Sequence, residues 1–385
     1  MQMQTTSYRA ETGWTDPLPT TLDGPQTLVL ALGASRYADD PRPWAELREA
    51  LPQAVLIGCS TSGEIAGLAL SDASISVAAV RFEHTRLQRA QTHVADPADS
   101  AAAGARLAAQ LPAAGLRAVF LLSDGLCVNG TSLVAGLVAG LPPGVMVTGG
   151  LAGDGSAFAR TWVLSENVNA SVQPLANQAS AVGLYGERLH VSSGCDGGWM
   201  DFGPLRRITK SAGSVLHELD GKPALDLYRE YLGELAAGLP GSALLFPLSI
   251  RRPGSQAKPL VRTILAIDES ARTMTFAGDV PEGYEARLMR ATDDGLIGSA
   301  AAAVAQATRD LPAASAPLVI SVSCVGRRLM LGERTEEEVE TVAEGSPDGA
   351  VHLGFYSYGE IAPGAEGGAC GLHNQTMTVT VYAET

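Results

Sequence analysis

Long apolar runs alternate along this chain with amphipathic stretches, and glycines gather where the runs end. TLVLALG (27–33) is followed by the helical pattern PWAELREAL (43–51) and by AVLIGCSTSGEI (54–65). The plan returns in AVFLLSDG (118–125), SLVAGLVAGL (132–141) and GVMVTGGLAGDG (144–155). It appears again in LVISVSCVG (318–326), ERTEEEVETVAE (333–344) and AVHLGFYSYGEI (350–361). Unbroken Val/Leu/Ile runs of this length read as strands covered on both faces, and helical crossovers between them permit parallel pairing. The expected fold class is α/β: two related domains with mixed sheets, built mainly from parallel units and flanked by helices.

ISVAAVRF (75–82), ASAVGLYGERLHVSSG (179–194) and VRTILAIDESARTMTFAG (261–278) alternate or extend, with turn signals at GERL and DES, and predict antiparallel strands. NQTMTVTVYAET (374–385) predicts a final strand. The domain break falls in TKSAGSVLHELDGKP (209–223), where Asp220-Gly221 ends an extended segment. Pro223 then opens the helix PALDLYREYLGEL, at a position where a missing N–H does no harm. This gives an N-terminal extension over 1–23, a first domain over 24–215 and a second over 216–385. VLIGCSTSGEIAG (55–67) and VHLGFYSYGEIAP (351–363) share Val, Gly, Gly, Glu, Ile and Ala in register. The likeness is either a coincidence between two strand exits or an internal duplication, one copy per domain with a site between them.

Composition removes several classes of function. A chain of 385 residues, 46% apolar and 18% charged, is globular and too long for one ordinary core. A net charge of −14 argues against nucleic acid and anionic membrane surfaces, which require clustered cations. The opening MQMQTTSYRAETGW lacks the apolar core and basic lead of a secretory signal, and no run approaches the ~20 apolar residues of a membrane span. Cys59, Cys127, Cys195, Cys324 and Cys370 are scattered, fitting neither a disulfide framework nor a zinc pattern. A cytoplasmic protein without membrane insertion is expected.

In order along the chain, GCSTSGEI, GGLAGDG, ELDGKPALDLYREYL, SCVGRRLMLG, GFYSYGEIAP and HNQTMTVTVY resemble the FIST family. The resemblance implies an N-terminal and a C-terminal FIST domain and a sensory rather than an enzymatic role. The chain carries no kinase, cyclase or methyl-accepting segment, so a separate signalling protein is expected as partner. Stand-alone members of the nitric-oxide-sensing NosP group bind haem and regulate histidine kinases or cyclic-di-GMP enzymes; other members have been proposed to bind amino acids or similar metabolites. The resemblance therefore implies a sensor of nitric oxide through haem b, or of a small metabolite, and leaves a homodimer open.

Two groups of residues are candidates for the site. The turns after two strands offer Gly58, Ser60, Thr61, Ser62, Gly63 and Glu64, and Gly153 with Asp154. Strand carboxyl ends are where α/β sheets bind ligands, and glycines let backbone N–H groups approach an anion closely. The same glycines also suit tight turns. Tyr356, Tyr358 and Glu360 occupy the matching later segment. Glu64 and Glu360 could receive a ligand ammonium, cap a turn, or pair with Arg327 or Arg328. The second group centres on His217. A strand reading of GSVLHELDG puts Val215, His217 and Leu219 on one face, suiting a single-histidine haem ligand, with Arg206, Arg207 and Lys210 upstream for the propionates. Cys59, at a strand exit, is a candidate nucleophile for a hydrolase or transferase, or a small buried hydrophobe.

Overall fold

In the computed structural model, which describes residues 1–239, 241–256, 259–312, 316–364 and 370–385, the recurring plan becomes three modules, each with a sheet of its own. Module 1 contains a leading strand Gln2–Arg9, a first strand Thr27–Ala34, helix Arg42–Ala50, a second strand Val55–Thr61 and a return strand Ile75–Arg81. Module 2 has the corresponding Arg86–His93, Leu116–Ser123, helix Gly130–Ala139, Met146–Leu151 and Gln178–Tyr185. Module 3 has Leu189–Asp196, Leu318–Cys324, helices Val325–Leu331 and Thr335–Glu344, Val351–Ser357 and Met377–Glu384. In each, first and second strands are parallel, and the return strand lies antiparallel between the first and leading strands. The leading strand of module 1 lies within the expected N-terminal extension, which is thus part of a sheet.

After its second strand each module sends a short arm onto another module. Glu64–Ala66 of module 1 pairs with Val351–Ser357 of module 3, and Gly359–Pro363 of module 3 pairs with Met146–Leu151 of module 2. Val163–Glu166 of module 2 pairs with Val55–Thr61 of module 1, closing the ring. The expected likeness of 55–67 and 351–363 is thus matched in topology, with a third counterpart at 146–155. GERL forms no hairpin: it carries the chain from the module 2 sheet to the module 3 sheet. DES does turn a hairpin, in which Asp268 Oδ1 accepts from Ser270 N and Ala271 N at 2.9 Å.

Alternation along the strands explains the layering. Leu28, Leu30 and Leu32 face a central core shared with Phe120 and Leu122 of module 2 and Ile320 and Val322 of module 3. The intervening Val29 and Ala31 pack outward on Trp44 and Leu47 of the module 1 helix. Strands buried on both faces need the unbroken apolar runs seen in the sequence. Gly58, Gly149 and Gly354 mark one position in the three modules: an added Cβ would stand 2.0, 1.8 and 2.4 Å from the carbonyl oxygens of Ala31, Leu121 and Ser321. Only glycine permits that approach.

Between the leading strand and the helix Asp293–Thr308 of module 3 lies an inserted antiparallel domain, from Met200–Ala212 to Glu285–Arg290, with its own core around Leu216, Tyr228 and Phe276. The expected break at 215/216 falls inside this domain, within the strand Val215–Leu219, which pairs with Met200–Ala212.

Candidate functional site

The glycine-rich exits meet one another rather than solvent. Ser62 N donates to Tyr356 O at 2.8 Å, and Tyr356 N to Gly63 O at 2.9 Å. Gly153 N donates to Ser60 O at 3.0 Å, Trp162 N to Ser60 Oγ at 3.0 Å, and Gly155 N to Ser62 Oγ at 3.0 Å. Gly58, Ser60, Thr61, Ser62, Gly63 and Gly153 are buried in this junction. Their N–H groups and hydroxyls serve the exchange of arms, which is why no anion nest opens there.

Glu64 and Glu360 occupy matching places and make matching bonds. Glu64 accepts from Thr61 Oγ1 (2.5 Å), Ser74 N (3.1 Å) and Ser74 Oγ (3.0 Å). Glu360 accepts from Ser357 Oγ (2.7 Å), Thr376 N (3.1 Å) and Thr376 Oγ1 (2.9 Å). Each ties its own arm to the start of its own return strand, and burial pushes each carboxyl up to about 7. Of the three roles open to them, capping a turn is the one observed. Arg327 pairs instead with Glu338, both fully buried, and Arg328 with Asp72. Tyr356 donates to Glu338 Oε2 at 2.7 Å inside the same network. Cys59 lies in the central core, where burial raises its thiol pKa well above the usual value.

His217 sits mid-sheet in the inserted domain. Leu216 and Leu219 are buried there while Val215, His217 and Glu218 are half-buried, so the apolar face expected around the imidazole is not formed. Register shifts opposite, between Ile208 and Ser211, break the simple alternation. Arg206 is committed, with Nε donating to Tyr231 OH at 2.9 Å and Nη1 to Asp220 Oδ2 at 3.1 Å; Arg207 and Lys210 are exposed. The cleft beside Arg206 holds about 20 Å³ and is not lined by His217. Haem pockets, like other cofactor sites, need several hundred Å³, so these residues do not fit a haem. Among the described residues no cluster of three metal-ligating side chains occurs.

A larger cleft, of about 190 Å³, lies elsewhere. One wall is the end of the module 2 first strand and the loop into its helix, with Leu126, Asn129 and Gly130. Tyr358, just before the module 3 arm Gly359–Pro363, and Leu372, on the strand Cys370–His373 paired with that arm, form another part, and the inserted domain supplies Ser214, Phe276 and Gly278. Asn129 organises the junction: its Oδ1 caps the helix by accepting from Ser132 N at 3.0 Å, and its Nδ2 donates to Asp279 Oδ1 at 2.8 Å. Asp154 accepts from Phe158 N, Ala159 N and Arg160 N at 2.7–2.9 Å and from the Tyr358 hydroxyl. That loop lays Phe158 on the Tyr358 ring, centroids 4.5 Å apart. Behind Gly278 lies Arg262, 3% exposed, whose guanidinium pKa burial pushes down to about 10. Of the expected ligand residues, only Tyr358 lines this cleft. Sequence reasoning missed Asn129 and Arg262, although SDGLCVNG between strand and helix was a visible strand-end signal.

Fold and cleft define a binding module with one wall in a three-module α/β body and the other in an inserted β domain. The chain matches the FIST N domain over residues 27–222 and the FIST C domain over 224–363, and it belongs to the FIST family, whose domains are sensory, small-ligand-binding modules of signalling proteins. The two matches meet inside the inserted domain, and the arms at 64–66 and 359–363 each cross from one matched half to the other. No curated protein matches the chain. None of the described helices is long and apolar enough to cross a membrane.

Proposed function

We propose that this chain is a sensor of a small metabolite, bound in the cleft between module 2 and the inserted domain and reported to a separate signalling protein. The observation that carries this is the position of the cleft, at a strand end and helix start with Asn129–Asp279 linking its two walls. A ligand contacting both walls favours the closed arrangement over an open one, and that differential binding is what a switch needs. A histidine kinase or cyclic-di-GMP enzyme that reads the angle of the inserted domain would complete the signal. The test is a thermal-shift screen of the full chain with small metabolites, repeated on Ser214→Trp, which fills the cleft. A midpoint rise lost in Ser214→Trp supports the reading; one retained there refutes it.

Haem with nitric oxide as stimulus is the reading the geometry around His217 supports less. An absorption spectrum after haem addition separates the two readings at once.

A further inference from the structure

This inference rests on the cleft reading above and concerns the charge and size of its ligand. Among the described residues, those lining the cleft include no Asp, Glu, Lys, Arg or His. The walls are largely aliphatic and aromatic, with Leu126, Leu151, Leu265, Phe276 and Leu372 among them. An ion brought in from water would lose hydration there and find no oppositely charged side chain in the wall, whereas a neutral molecule of the same shape gives up far less.

The charges behind the walls point the same way. Three carboxylates bond lining residues from outside the cleft. Asp124 Oδ1 accepts from Leu126 N at 2.8 Å, Asp279 Oδ1 from Asn129 Nδ2 at 2.8 Å, and Asp154 Oδ1 from the Tyr358 hydroxyl. Arg262 stands behind Gly278 with its Nε donating to Asp279 O at 3.0 Å; it lies beside the Asp279 carboxylate and is no part of the lining. The helix start at Gly130 adds roughly half a unit of positive charge, too little to balance the three carboxylates. An anion therefore meets a negative surround. A cation meets carboxylates that do not line the cleft and already hold hydrogen bonds.

Size and polarity narrow the ligand further. Cavities of about 150 Å³ lined by Leu, Ile and Phe take up benzene. The cleft, at about 190 Å³, thus fits one six-membered ring with a small substituent. Ser214 and Thr275 also line it, and their hydroxyls have no hydrogen-bond partner among the described residues. We propose that the cleft takes an uncharged molecule of one substituted aromatic ring, its ring against Leu126, Leu265 and Phe276 and its hydroxyl or carboxamide bonded by Ser214 and Thr275.

Thermal shift and calorimetry on the full chain, at neutral pH and fixed ionic strength, test this with four rings of like size. Benzyl alcohol and benzamide are uncharged, benzoate is an anion and benzylammonium a cation. Expected is binding of at least one uncharged ring, roughly tenfold or more tighter than either ion and abolished by Ser214→Trp. The double change Ser214→Ala/Thr275→Val should weaken that binding by roughly threefold or more. Leu265→Lys, which puts the missing cation in the wall, should tighten benzoate by roughly tenfold. If Leu265→Lys does not fold, Leu126→Lys carries this arm; both leucines are 37% exposed, so the ammonium can stay in water until benzoate binds. Binding of neither uncharged ring, unchanged affinity in the double variant, or no gain for benzoate in the lysine variant overturns the proposal. If an ion binds as tightly as the uncharged rings and Ser214→Trp abolishes both, the uncharged ligand is refuted while the cleft reading stands. Binding retained in Ser214→Trp refutes both.

Discussion

Replacing Glu64 by Gln should make the protein more stable, by a margin that opens as pH rises from 4.5 towards 7. Glu64 is 1% exposed, and burial raises its carboxyl from 4.5 to about 7. The folded state therefore holds this proton more tightly than the unfolded chain does. The stability so gained is complete below pH 4.5 and is lost as pH rises through 7, a fall of roughly 3 kcal/mol. Gln fits the same bonds, with its Oε1 accepting from Ser74 N and Oγ and its Nε2 donating to Thr61 Oγ1. The variant pays no ionisation cost at high pH. Wild type and Glu64→Gln should unfold at similar urea concentrations at pH 4.5, and by pH 8 the variant should be ahead by up to about 3 kcal/mol. Taking the difference between the two proteins cancels other titrations. One of these is His352, which burial pushes down to about 4, so that stability is lost as pH falls from 6.5 towards 4. A difference that stays flat with pH, or grows towards acid, would refute the reasoning; Glu360→Gln should show the same slope.

Gly149→Ala places a Cβ 1.8 Å from Leu121 O and should cost roughly 3 kcal/mol or more in urea unfolding, whereas exposed Gly67, with nothing within 4 Å, should accept Asn at under about 1 kcal/mol. Arg327→Met leaves Glu338 buried without its cation and should cost about 3–5 kcal/mol, with the double change Arg327→Met/Glu338→Leu recovering much of it. Asn129→Ala removes the helix cap and the bridge to Asp279, so about 1–2 kcal/mol should be lost and hydrogen exchange across 125–133 should quicken. Added haem should give a spectrum that His217→Ala leaves unchanged; a Soret band lost in that variant would restore the haem reading.

The strands and most helices were legible because apolar runs and helical periodicity are local signals. The first strand of module 1 is buried along its whole length, as its unbroken run implied. Partner choice was not legible. Nothing in ASAVGLYGERLHVSSG says that its halves belong to different sheets, because turn chemistry fixes a change of direction and not the sheet that receives it. His217 misled for a related reason: alternation assigns faces only where register is regular, and the strand opposite it shifts twice. Arg262 could not be read as buried, since nothing local distinguishes VRTIL from a solvated strand edge.

The ring of arms accounts for the one large error about the site. In an open α/β sheet the second-strand exits face solvent and bind ligands; here every such exit is closed by an arm arriving from, or leaving for, another module. Serines and glycines that look like an anion nest are spent on that closure. The exit of the module 2 first strand stays available, and the inserted domain covers it. The module 3 arm, with the residues that flank it, then gains a second use. Tyr358 and Leu372 line the cleft, while Glu360 on the same arm holds Thr376, and neighbouring Gln375 donates from Nε2 to Leu244 O of the inserted domain at 3.0 Å. The segment that brings Tyr358 to the cleft is thus also tied, through Gln375, to the inserted domain that forms the opposite wall. The interlocked body holds that segment in place, because no arm can move without opening the sheet of a neighbouring module.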